Sequence, residues 1–411
     1  MVARETTGAG IFTLRSGVFE RVAGRLHRGH LIYWTGISMS SRPKLVVLPG
    51  DGVGPEVIAE ATRVLNWLQA NRGFDCEIIE HRYGFHVFRE LGTLYGPGVI
   101  EDAQSADAVL FGAMGGPEYD EIPPSVRRQG SVLRLRRELK LFANLRPSRG
   151  IVEIADAVPF KRSIIEGVDN LMVREANGGI YFGEPRGIET LPNGFEKGFN
   201  TMVYETDQIE RVSRAAFEIA RTRSGRLCSV DKSNVLEVGV LWRKVVERVH
   251  RDEFPDVELT HMLVDNCAMQ LSRNPRQFDV LVTTNMFGDI LSDAAAAIMG
   301  SLGMAPSAAL SAPDADGRRR ALYEPVHGSA PDITGQGIAN PIAAIWSLAL
   351  AMRHSFHRED DAALIETAMW SVLGKGIRTA DIAGDHSPVC TSAMGDAILT
   401  ELDQLNRSCS S

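Results

Sequence analysis

The sequence predicts an α/β fold with a mainly parallel sheet, and two observations carry that expectation. From Pro43 onward, short apolar segments alternate with amphipathic ones: "KLVVLPGDG" leads into "PEVIAEATRVLNWLQA", and "ADAVLFGAMGG", "DNLMVREANGG", "LCSVDKSN" and "FDVLVTTNMFGD" follow in turn. Continuous apolar runs of this kind suit strands covered by helices on both faces. No segment repeats at a period of about 20 to 50 residues, which removes solenoids and propellers.

Composition narrows the function classes. A chain of 411 residues, 44% hydrophobic, can bury the core of two domains or of one large α/β unit. The net charge of −8 gives no electrostatic footprint for nucleic acid or an anionic membrane, so a small-molecule partner is expected. Five scattered cysteines (Cys76, Cys228, Cys267, Cys390, Cys409) include no C-x-x-C pair, which argues against a disulfide framework or a zinc site and for a reducing compartment. No run of about 18 uncharged apolar residues is present to span a bilayer. A cytoplasmic location is expected. Residues 1–38 differ from the rest, with Arg4, Arg15, Arg21, Arg25 and Arg28 against Glu5 and Glu20. They read as an extension of uncertain order, a transit peptide or sequence upstream of a start at Met39 being the open alternatives.

The elements follow in order. "LPGDGVGPEV" (48–57) turns a strand sharply into a helix beginning near Pro55; its glycines at 50, 52 and 54 do not fit the G-x-G-x-x-G spacing of a Rossmann fingerprint. In "SVLRLRRELKLFANLRP" (131–147), Arg134, Arg136 and Arg137 read as a basic helix face, but Arg146 follows an apolar run where a solvated face is a poor account. Arg174 ends another apolar run. Two guanidiniums are therefore expected where strands give out, the place where open α/β sheets bind ligands, and a di- or tricarboxylate would explain them. "GGIYFGEPRGIETLPNGFEKGFNTMVYETD" breaks the rhythm and reads as hairpin material turning at "PNG", either a subunit contact or a plain loop excursion.

Lys232, directly after the strand in "SVDKSNVLE", is either an ordinary surface lysine or a base whose ammonium loses its proton on desolvation. Tyr181 either packs in the hairpin or serves a site. Asp265 in "MLVDNCAMQL" and Asp289 and Asp293 in "FGDILSD" supply three carboxylates. The last two stand four apart and hence side by side on a helix, where a hard divalent cation would relieve their repulsion; a helix-start Asp289 with a solvated Asp293 is equally open from spacing alone. "YEPVHGSAPDITGQGIANP" (323–341) is too rich in Gly and Pro for a regular element and long enough to be functional. In it, His327 either bonds an adenine or braces the loop, and Asp332 either accepts both ribose hydroxyls of a nucleotide or caps a turn.

Taken together, "GDGVGPEV", "LRRELKLFANLRP", "VREANGGIYFGEPRG", "VDKSNVLE", "VDNCAMQL", "FGDILSD" and "EPVHGSAPDITGQGIANP" occur in the order found in the β-decarboxylating dehydrogenases, the isocitrate/isopropylmalate dehydrogenase family, which the chain resembles from about Lys44 to its C-terminal region. The resemblance implies a two-domain fold with a shared mixed sheet, distinct from a Rossmann fold: residues 39–141 and 300–411 as a cofactor-binding domain, and 142–299 as a metal-binding and dimerisation domain with a β-arm around 178–205. It implies a homodimer with shared active sites. By position, Arg136, Arg146 and Arg174 match the substrate-carboxylate arginines, Tyr181 and Lys232 the catalytic pair, and Asp265, Asp289 and Asp293 the ligands of Mg²⁺ or Mn²⁺. Lys232 and Asp265 would come from the subunit opposite Asp289 and Asp293. Glu324, His327, Gly328, Ser329, Ala330, Asp332, Ile333 and Asn340 match the cofactor-binding stretch, and Asp332 implies NAD because a carboxylate repels a 2′-phosphate. Val132, Leu133 and Val235 stand where the isopropylmalate branch presents apolar residues to its substrate, which implies NAD-dependent oxidative decarboxylation of 3-isopropylmalate. Tartrate, malate and homoisocitrate are oxidised on the same scaffold; Ser131 is close to where isocitrate enzymes hold an extra carboxylate.

Overall fold

The computed structural model describes residues 42–315 and 317–409, so the expected extension at 1–38 lies outside the described residues. Ten strands form one sheet in the order β2 (Glu77–Glu80), β1 (Lys44–Gly50), β3 (Ala108–Ala113), β12 (Ala321–Pro325), β11 (Pro306–Leu310), β4 (Ala143–Arg149), β5 (Asp169–Glu175), β10 (Val280–Thr283), β8 (Arg226–Asp231) and β9 (Glu258–Leu263). Pairing is parallel except at the centre, where β12–β11, β11–β4 and β4–β5 are antiparallel. The sheet is mixed, with helices on both sides. Strands β6 (Gly187–Thr190) and β7 (Glu196–Phe199) form a separate antiparallel hairpin turning through the Pro-Asn-Gly segment, with Gly194 at φ +81°.

Successive residues of a strand point to opposite faces. In β1, Leu45 and Val47 join Ala108 and Leu110 in one core cluster, while Val46 and Leu48 join Val109 and Phe111 in another. Both faces are dry, so the strands read as unbroken apolar runs. The helix Ile342–His354 is buried on every side down to Met352, which fits its almost wholly apolar sequence. Among the described residues no helix is long and apolar enough to cross a membrane.

The helix Gly54–Arg72 starts where the sequence places it. The glycines before it are there for close approach: a Cβ on Gly50 (φ +78°) would stand 1.8 Å from the Ala113 carbonyl oxygen, and one on Gly52 (φ +61°) 2.0 Å from that of Ser329. The motif therefore welds the end of β1 to β3 and to the loop after β12.

One expectation needs correction. Arg146 does not lie where a strand gives out; it is the fourth residue of β4, opposite Met172 of β5. Pro147 and the charge suggested an ending, but β4 is held from the side by other parts of the chain. Arg174, one residue before the end of β5, is opposite Asn144, so both guanidiniums leave the same face of the sheet.

Candidate active site

The helix Asn285–Ala296 follows β10 and crosses that face, carrying Asp289 and Asp293 on one side. Arg174 and Arg146 are almost completely buried beneath it. The Arg174 guanidinium donates through Nη1 to Asp289 Oδ1 and through Nε to Asn285 Oδ1 at 2.9 Å. Arg146 donates through Nη1 to Ser292 Oγ at 2.7 Å and Asp293 Oδ1 at 3.2 Å, reaches Asp289 Oδ1 with Nη2 at 3.2 Å, and is squared by Asn144 Oδ1 at 2.8 Å. The Tyr181 hydroxyl donates to Asp289 Oδ2 at 2.9 Å, and its ring lies 5.7 Å from the Arg174 guanidinium carbon.

Electrostatics assigns each group a state. Burial raises the Asp289 pKa, but Arg174 and Arg146 outweigh it and hold the carboxyl below its usual range. Asp293 goes the other way, raised by burial and by Asp289 against the pull of Arg146. Burial brings Arg174 down to about 10, still protonated at neutral pH. Burial, reinforced by Asp289, raises the Tyr181 phenol, so it keeps its proton for donation.

Arg136, on the helix Val132–Glu138, is buried and paired with Glu324 of β12, its Nε without a partner among the described residues. Its charge reaches Arg146, Arg174 and Asp289. Val132 and Leu133 open the same helix, half-buried. Ser131 caps it: Oγ accepts from the Arg134 amide at 3.2 Å and donates to the Arg128 carbonyl at 3.1 Å, which commits the hydroxyl to the backbone.

Lys232 and Asp265 form a second, separate pair, at the carboxyl ends of the adjacent strands β8 and β9, with Lys232 Nζ 2.5 Å from Asp265 Oδ1. That hydrogen bond lowers the Asp265 pKa. Neither touches Asp289 or Asp293, and among the described residues no three potential ligands gather in one chain. Val235 is 68% exposed.

The third group is the loop after β12. Its backbone is pinned by the Val53 amide to the Ser329 carbonyl (2.9 Å), by the Gly335 amide to Glu56 Oε1 (2.6 Å) and by the Thr391 amide to the Gly337 carbonyl (2.8 Å). Ala330 is held at φ +42°, a strained value for a residue with a side chain. A Cβ at Gly328 would meet nothing within 4 Å, and the exposed Asp332 carboxylate bonds to no described residue, so both face open space. His327 Nδ1 lies 2.8 Å from the Gly328 carbonyl oxygen, and Ile333 packs against the main core. Asn340 turns inward, donating to Asp381 Oδ2 (3.1 Å) and accepting from the Ile342 amide (3.0 Å).

Sequence reasoning missed several residues that position this site. Asn285 bonds Arg174 and also donates to the Gly178 carbonyl at 3.1 Å, tying the arginine to the turn that leads to Tyr181. Buried Glu175 accepts from the Gly178 amide at 2.7 Å, and Tyr204 accepts from the Asn285 amide at 2.8 Å. Only Asn285 left a signal, standing four residues before Asp289 on the same helical face.

Comparison with known proteins agrees. The sequence model for isocitrate/isopropylmalate dehydrogenase matches residues 44–398. The 3-isopropylmalate dehydrogenases of Paramagnetospirillum magneticum and Gluconobacter oxydans are each 53% identical, over 88% and 89% of this chain and 99% and 100% of theirs. Among solved structures, isocitrate dehydrogenase from Methylococcus capsulatus superposes with a TM-score of 0.75 at 31% identity, covering 88% of this chain and 99% of that one. A β-decarboxylating dehydrogenase from Thermococcus kodakarensis does so at 0.71 and 35%, covering 88% and 97%. The mixed sheet, the motif order and these matches together place the chain in the isocitrate/isopropylmalate dehydrogenase family.

Proposed function

We propose that the chain catalyses NAD-dependent oxidative decarboxylation of (2R,3S)-3-isopropylmalate to 4-methyl-2-oxopentanoate and CO₂, a step of leucine biosynthesis. The observation that carries this reading is the assembly of buried Arg146 and Arg174 with the part-exposed Tyr181 and Asp289 and the exposed Asp293, a carboxylate cradle with a proton donor and two hard oxygen ligands. The names of the relatives and the apolar side chains of Val132 and Leu133 support isopropylmalate, and a Ser131 hydroxyl spent on capping argues against a third substrate carboxylate.

Asp289 and Asp293, joined by Asp265 from a second copy of the chain, have the donor chemistry for Mg²⁺ or Mn²⁺, and the open Gly328 and the exposed Asp332 carboxylate fit the adenosine half of NAD. When bound, the cation would supply Lewis acidity at the substrate C2 hydroxyl, and NAD would supply a hydride acceptor. Arg136, Arg146 and Arg174 hold the carboxylates. Lys232 Nζ, as the neutral amine, takes the hydroxyl proton through a water. The β-keto acid then loses its C3 carboxylate as CO₂, and Tyr181 Oη passes its proton to C3 of the enolate. We assign residues 39–141 with 300–411 to the cofactor half and 142–299 to the half that binds metal and dimerises. Exposed Met269 and Ile290 on two helices packed against each other, with Ile188 and Phe195 on the hairpin, support a homodimer with shared sites.

Initial rates of NADH formation with Mn²⁺ and each of isopropylmalate, isocitrate, homoisocitrate, tartrate and malate test the assignment. Isopropylmalate should turn over fastest. Absence of turnover with it beside a good rate on another acid refutes the choice.

A further inference from the structure

Lys232 owes its place to its surroundings. Its carbonyl accepts from the amides of Val235 (3.1 Å) and Leu236 (2.9 Å), which closes a tight turn between β8 and the helix Glu237–Glu253. The residue before it, Asp231, is fully buried. One oxygen of that carboxylate accepts from the Ser233 amide at 2.8 Å, so it grips the turn from the other side of the lysine. A buried carboxylate needs a counter-charge. Arg243, two turns along the helix, provides one with a fork: Nε to Asp231 Oδ2 at 3.0 Å and Nη2 to Oδ1 at 3.2 Å.

The same helix meets the turn at a second point. A Cβ on Gly239 would lie 2.8 Å from both the Lys232 carbonyl carbon and the Ser233 amide nitrogen, so the helix seats against the lysine backbone only because this residue has no side chain. Trp242 Nε1, donating to Ser229 Oγ at 3.2 Å, fixes the helix to β8 itself. Helix, strand and turn are thus locked around one residue.

We infer that Arg243 is a positioning residue for the reaction: acting through Asp231, and with Gly239 as the seat, it sets where the Lys232 amine stands. The inference rests on the reading of Lys232 as the base that takes the hydroxyl proton. Arg243 touches neither Lys232 nor Asp265 in the structure, so its effect is carried by the Asp231 grip. A lysine at 243 retains the charge but cannot reproduce the fork.

The test is a kinetic cycle on the full-length enzyme with Mn²⁺, NAD and isopropylmalate, using Arg243→Lys, Lys232→Met, their combination, and Gly239→Ala. Displacing a base by about 1 Å costs on the order of 100-fold, so Arg243→Lys should lower kcat by about 10- to 100-fold while both KM values move less than about threefold. Gly239→Ala should do the same from the other side of the turn. In the Lys232→Met background, Arg243→Lys should change residual kcat less than about threefold, because it has no base left to misplace. The paired variant Asp231→Asn/Arg243→Gln leaves no buried charge behind, and should also be slow while folded; it stands in if Arg243→Lys does not fold. Full kcat in Arg243→Lys or in the paired variant overturns the inference alone, as does an equal loss with and without Lys232. Full activity in Lys232→Met overturns the assignment of the base and the inference with it.

Discussion

Replacing Asp289 by asparagine keeps the side-chain shape and removes its charge, which separates two jobs of this carboxylate. In the free enzyme it is the shared counter-ion of two almost completely buried guanidiniums, Arg174 and Arg146 at 3.2 Å, and the acceptor of the Tyr181 hydroxyl at 2.9 Å. A hydrogen bond to a charged group contributes roughly 1.5–3 kcal/mol. The Asp289 side chain is 34% exposed, so solvent screens part of this. Asparagine retains an acceptor for one partner, and the expected loss is about 1–2 kcal/mol of unfolding free energy in the absence of ligands. In the loaded enzyme Asp289 is a proposed cation ligand. A ligand at 100 times its Kd stabilises the native state by about 2.7 kcal/mol, which wild type should gain from Mn²⁺ and the variant should not. The dicarboxylate without metal should stabilise the variant at least as well as wild type, since the guanidiniums now lack their partner. Thermal melts of both proteins, alone, with Mn²⁺ and with isopropylmalate, read these three quantities, and NADH formation reads the fourth, expected to fall by at least about 1000-fold in kcat/KM. An unchanged Mn²⁺ shift together with turnover within tenfold of wild type would refute the assignment of Asp289.

Two further outcomes follow from other parts of the chain. Glu56→Ala removes the acceptor that pins the Gly335 amide at 2.6 Å, and loss of roughly 1 kcal/mol of loop order should raise the KM for NAD about fivefold and leave that for isopropylmalate unchanged; equal changes in both would contradict a role confined to the nucleotide loop. Glu401 bridges two C-terminal helices, accepting from Ser371 Oγ at 2.6 Å and pairing with Lys375; burial raises its pKa, but these partners outweigh it and leave the carboxyl below 4.5. A lowered carboxyl contributes stability above pH 4.5 that is lost as pH falls through the folded value. The melting-temperature gap between wild type and Glu401→Gln should therefore hold from pH 7 to about 5 and close below 4.5, and a gap that widens on acidification would reverse the sign.

What the sequence made legible was whatever has a local period. Alternating apolar runs gave the parallel flanks of the sheet, the glycines at 50 and 52 marked a sharp turn, and the spacing of Asp289 and Asp293 put them on one helical face. Whatever depends on distant partners was hidden. β4 reads "ANLRPSR", a poor strand by propensity, and is a strand because Ser292 satisfies Arg146 and the Ala295 carbonyl satisfies Ser148, more than 140 positions later. Glu175, Tyr204 and Arg243 look like ordinary residues of a strand, a loop and a helix. The split of the three aspartates into a pair and a single residue beside Lys232 follows from where β10, β8 and β9 lie in the sheet, which no spacing reveals.

The charges of the cluster explain why such an elaborate cradle can stand without substrate. Arg136, Arg146 and Arg174 are matched by Glu324, Asp289 and Asp293, and Lys232 by Asp265, so each group is formally neutral as it stands. On the proposed function, adding a dicarboxylate alone would leave two uncompensated negative charges beside the buried guanidiniums, and adding a divalent cation alone would leave two positive ones. Added together they restore neutrality, so each ligand lowers the electrostatic cost of the other, and the coupling must be the same whichever binds first. Asparagine at 289 tips the resting cluster to one net positive charge, which favours the dicarboxylate and opposes the cation. The opposite responses expected of that variant are thus one consequence of a cluster whose own charges sum to zero.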